Sequence, residues 1–126
     1  MLLNLLESHG ALIKSWSLDE FESAGPNLKL KGTILFKDES KLYFKQVILG
    51  DLKFKYAYHW ENEKGELICR WDNAPHWPKV STYPHHKHIK KGNENVVGEP
   101  IGGDLEEILS EISRKITSEK KTEMIF

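Results

Sequence analysis

The sequence predicts an α+β domain: a curved antiparallel β-sheet meander of about five or six strands with a C-terminal α-helix packed on one face. Three observations carry this. Apolar and polar residues alternate with a period of two through residues 28–72, turn residues separate the runs, and an i, i+3/i+4 apolar stripe closes the chain. A chain of 126 residues with 39% hydrophobic residues fits a single domain, residues 1–126.

In chain order, Leu2, Leu3, Leu5 and Leu6 predict one short helical turn ending near His9-Gly10, followed by a strand over residues 11–18. Gly25-Pro26-Asn27 is a turn. From Leu28, the residues Leu30, Ile34 and Phe36 alternate with Lys29, Lys31 and Lys37, the pattern of a half-buried strand with a solvated lysine face. The turn Asp38-Glu39-Ser40 leads to a strand over 41–49, with Phe36 expected opposite Leu42 and Ile34 opposite Phe44. A further strand over 53–61 puts Phe54, Tyr56, Tyr58 and Trp60 on one face and Lys55, Ala57 and His59 on the other. Residues 62–65 turn the chain into a strand over 66–72. Residues 73–103 read as a long loop, with short edge strands at 80–83 and 95–97. Asp104, with Glu107 three residues on, starts the final helix, whose stripe is Leu105, Ile108, Leu109, Ile112 and Ile116.

Composition excludes several classes. The single cysteine, Cys69, excludes a disulfide framework and a cysteine-based zinc site. Eighteen basic against 19 acidic residues exclude a globally basic nucleic-acid binder, though not a local patch. Neither a signal peptide nor an apolar run of the ~18 residues needed for a membrane span is evident, so a cytoplasmic protein is expected. Charge is unevenly spread: residues 53–92 hold eight Lys or Arg against four Asp or Glu, and residues 99–126 hold four against seven. The basic middle suits a phosphate-bearing ligand.

Five of the six histidines, His59, His76, His85, His86 and His88, fall within 30 residues, beside Arg70 and Asp72. Three chemistries use such a set. An imidazole with a pKa near ~6.5 can take a proton from a ribose 2′-OH while a second protonates the leaving oxygen, with a guanidinium on the phosphate. His86 and His88, two apart on an extended segment, can instead ligate Zn²⁺ with His76 or Asp72, although the spacing matches no strong zinc pattern. Aromatic and cationic residues can also bind single-stranded RNA or a protein without catalysis. The first chemistry is favoured here and needs no cofactor. His86 and His88 are the expected proton-transfer pair, with His85 or His76 in reserve. Arg70 and Lys87 are expected to hold phosphate, Asp72 to orient Arg70 or a histidine, and Tyr83 or Trp77 to stack a base. His59 joins Arg70 and Asp72 on one strand face with a two- or four-residue hairpin loop. A three-residue loop with a bulge at Gly65 would put the tyrosines there instead.

The segments Arg70-Trp71-Asp72-Asn73-Ala74-Pro75-His76 and Thr82-Tyr83-Pro84-His85-His86-Lys87-His88 resemble the hallmark of the TumE family of toxins. Trp77 stands where that family's pattern carries a second histidine. The resemblance implies the toxin half of a toxin–antitoxin module, neutralised by a small DNA-binding antitoxin. A homodimer is one option for assembly. Together with the histidines, it leads to the expectation of a metal-independent endoribonuclease acting on RNA. The alternatives are a non-enzymatic RNA- or protein-binding module and a metal-dependent hydrolase using the histidine cluster.

Overall fold

The computed structural model describes residues 2–51, 53–75, 82–91, 93–98 and 103–125. A short helix α1 (Leu2–Ser8) precedes seven strands: β1 (Ile13–Ala24), β2 (Asn27–Phe36), β3 (Lys41–Leu49), β4 (Lys53–Glu61), β5 (Leu67–Asp72), β6 (His86–Lys91) and β7 (Asn93–Gly98). Helix α2 (Leu105–Ile125) follows. The strands form one antiparallel sheet in chain order, the expected meander with its C-terminal helix, slightly wider than the predicted five or six strands.

The core lies between one sheet face and the helices. Ile34, Phe36, Leu42, Phe44, Tyr56, Tyr58, Trp60, Cys69 and Trp71 meet Leu105, Ile108, Leu109, Ile112 and Ile116 of α2 and Leu6 of α1. The aromatic stripe of β4 and the apolar stripe of α2 are therefore the two halves of one interior, as their periodicities require. Asp104 caps α2, its carboxylate accepting the Glu106 backbone N–H at 3.0 Å. Just before it, the Gly103 carbonyl accepts the Tyr58 hydroxyl at 2.6 Å, which ties the helix entry to the sheet.

Three local expectations are corrected. Leu42 lies opposite Ile34, and Phe44 opposite Gly32, because the turn closes two residues earlier than anticipated, with the Phe36 N–H donating to the Ser40 carbonyl at 2.9 Å. A shift of two keeps every side chain on its face, so the core is unaffected. Residues 86–91, placed in a loop by their polarity, form β6 between β5 and β7. Their lack of apolar alternation reflects a polar open face and, on the helix side, a lysine paired with α2. Tyr83, expected in an edge strand, sits in a turn closed by the His85 N–H on the Thr82 carbonyl at 2.9 Å.

The β4–β5 hairpin resolves the open register. Asn62 and Glu66 close a tight loop, with Gly65 at φ 81°. Trp60 pairs with Cys69 and Glu61 with Leu67, leaving Ile68 as an extra residue. That bulge moves the register by one and returns His59 opposite Arg70.

Candidate functional site on the open face of the sheet

Residues opposite one another in an antiparallel sheet share a face. One row across the face away from α2 reads Thr33, Tyr43, His59, Arg70, His88. The next reads Lys31, Lys45, Ala57, Asp72, His86, and a third holds Lys29, Val47 and Lys55. Strand alternation thus gathers an arginine, an aspartate and two histidines at one end of a lysine-bearing surface.

Asp72 is the hub. One carboxylate oxygen lies 2.9 Å from His86 Nε2 and accepts the Ala74 backbone N–H at 3.0 Å. The other accepts Arg70 Nε at 3.3 Å and lies 3.7 Å from His88 Nε2. The His86 and His88 rings are 5.1 Å apart, edge to face. Burial grades outward: the side chain of His86 is 1% exposed, Asp72 8%, His88 13% and Arg70 40%. On its far side His86 Nδ1 lies 2.9 Å from the Pro84 carbonyl, which only accepts, so this nitrogen carries a proton.

The cluster opens into a hollow of about 1210 Å³ lined on its other sides by Lys29, Lys45, Lys55, Phe54, Tyr83 and Pro84. Glu20 partly neutralises the far rim, bonding Lys29 at 3.0 Å and approaching Lys31 at 3.5 Å. The Lys29 bond holds the Glu20 carboxyl below its ordinary range, with burial opposing it. Lys45 and Lys55 carry the positive field into the middle of the hollow.

The expected site residues divide. Arg70, Asp72, His86, His88 and Tyr83 line this hollow. His59 shares Arg70's row, but its Nε2 lies 3.3 Å from Glu61. Two expected residues are placed away from the hollow. Lys87 points to the helix side, away from Arg70, and pairs with Glu111 of α2 at 2.9 Å. His85 stacks on Tyr56, with ring centres 5.7 Å apart and Nδ1 2.7 Å from the tyrosine hydroxyl, and does not line the hollow. His76 and Trp77 lie outside the described residues. Lys45 and Lys55 were missed as site residues, although their parity with His59 along the alternating strands was a legible signal.

Fold and site together define an α+β protein with a histidine–arginine–aspartate cluster set in a basic surface. A family model described as Toxin TumE matches residues 2–116, and the chain belongs to that family. It is accordingly the toxin component of a toxin–antitoxin system, with a cognate antitoxin as partner. No curated protein and no solved structure matches it. Among the described residues, no helix is long and apolar enough to cross a membrane.

Proposed function

We propose that this toxin arrests growth by cleaving RNA on the open face, with Asp72, His86 and His88 as the reaction centre. The observation that carries the reading is the convergence of both histidines and Arg70 on one carboxylate at the edge of a lysine-lined hollow. RNA supplies a phosphate for Arg70, further phosphates for Lys45 and Lys55, and bases for the exposed Tyr83 ring. Arg70 is suited to its part because Asp72 engages only Nε, which leaves the terminal nitrogens of the fork for a phosphate.

The sequence favoured proton transfer between two substrate-facing imidazoles. In the fold, His86 is buried behind Asp72 and His88 stands nearer the hollow, an arrangement that supports a shared centre over two independent acid–base groups. The test is direct. Purified full-length protein incubated with cellular RNA is expected to cut it, and Arg70→Ala is expected to lose the cleavage while keeping its circular dichroism spectrum. Intact RNA with the wild-type protein would instead favour toxicity by binding alone.

A further inference from the structure

We infer that Asp72, His86 and His88 form a three-ligand site for a divalent transition-metal cation, with Zn²⁺ as the best match. The role of the ion in RNA cleavage rests on the function proposed above; its binding does not.

Two observations carry the inference. First, the candidate ligand atoms of the three residues all lie within 4.8 Å of one another, with carboxylate-to-imidazole separations of 2.9 and 3.7 Å. Tetrahedral ligands at zinc bonding distance are about 3.4 Å apart, between these two values. Second, the ring of His86 is preset. Its Nδ1–H donates to the Pro84 carbonyl, the usual outer partner of a metal-bound imidazole, and this directs Nε2 to the cluster. The carboxylate of Asp72 is likewise fixed, by the Ala74 N–H on one oxygen and Arg70 Nε on the other.

Two imidazoles and one carboxylate suit Zn²⁺ and neighbouring first-row divalent ions better than Mg²⁺ or Ca²⁺, which prefer all-oxygen sets. Three protein ligands leave a fourth position, on the side of the hollow where Arg70 and the lysines stand. A bound cation would there polarise a phosphoryl oxygen of the RNA.

The experiment uses purified full-length protein stripped with chelator and titrated with Zn²⁺ by calorimetry and with Co²⁺ by visible absorption. One ion per chain and the d–d bands of four-coordinate Co²⁺ are expected. His88→Gln, the least buried ligand change, is expected to weaken Zn²⁺ binding at least ~10-fold with the fold retained. The Co²⁺ spectrum of the unmutated protein needs no variant, so a misfolded mutant does not leave the matter open. Absence of stoichiometric binding in the wild-type protein, or unchanged affinity in folded His88→Gln, overturns the site. Stoichiometric binding by a protein that cuts no RNA upholds the site and overturns the proposed function. RNA cleavage by protein that binds no ion does the reverse.

Discussion

At the scale of single residues, Asp72 decides the site. Its two oxygens meet His86, Ala74, Arg70 and His88, and only 8% of its side chain is exposed. Asp72→Ala leaves the buried His86 imidazole without its carboxylate, and a loss of about 3 kcal/mol in stability is expected from chemical denaturation. A loss below ~1 kcal/mol would mean that the pair is not coupled. Arg70 acts differently, because 40% of its side chain is exposed. Arg70→Lys keeps the charge but removes the planar fork, and RNA cleavage is expected to fall at least ~10-fold with the unfolding midpoint unchanged. Full activity in that variant would reduce Arg70 to a point charge. The nearness of Arg70 to Asp72 was legible, since residues two apart on a strand share a face. The burial of His86 was not, because it depends on the Pro84 carbonyl and on strands further along the chain.

At the scale of elements, the β1–β2 hairpin and the entry to α2 bear the sharpest expectations. Thr33 and Ser17 hydroxyls hold the Asp19 carboxyl below its ordinary range, and Lys29 does the same for Glu20. A carboxyl whose pKa is depressed on folding contributes stability above its unfolded pKa and loses it as pH falls through the folded value. The hairpin is therefore expected to loosen below about pH 4, seen as faster amide exchange in β1, and Asp19→Asn with Glu20→Gln should flatten that dependence. Unaltered acid sensitivity in the double variant would contradict it. Gly103 lies at φ 80°, and a Cβ there would come within 2.0 Å of the Tyr56 ring. Gly103→Ala is thus expected to lower stability by about 2 kcal/mol or more in thermal unfolding, and a neutral result would show that α2 can shift at its entry.

The same elements show what the sequence carries. Alternation fixes the strands of 28–72 because each has one buried and one open face, and the helix is announced by Asp104 and its stripe. The bulge at Ile68 has no side-chain signature, and it sets which face Arg70 shares with β4. β6 escaped detection for a related reason. His86 and His88 face the polar cluster and Lys87 meets Glu111, so burial and hydrophobicity part company there.

At the scale of the whole molecule, charge follows the layers. The open face carries Lys29, Lys45, Lys55 and Arg70, and the helix on the other side begins with Glu106 and Glu107. RNA is therefore expected to contact one side only. Lys45→Glu with Lys55→Glu should weaken RNA binding and reduce the salt dependence of the affinity by a slope of about 1.4, the share of two phosphate contacts. Glu106→Lys with Glu107→Lys should leave affinity within about twofold, and a marked gain there would place RNA on the helix side. These variants separate the surface proposed to hold RNA from the cluster proposed to act on it. The most direct measurement of the central claim is transcriptome-wide mapping of RNA ends after brief expression of the wild-type toxin and of Arg70→Ala at equal folded levels. New ends that appear with the wild type and vanish with the variant are the expected result. Growth arrest with no new ends, or the same ends from both proteins, would contradict cleavage at the open face.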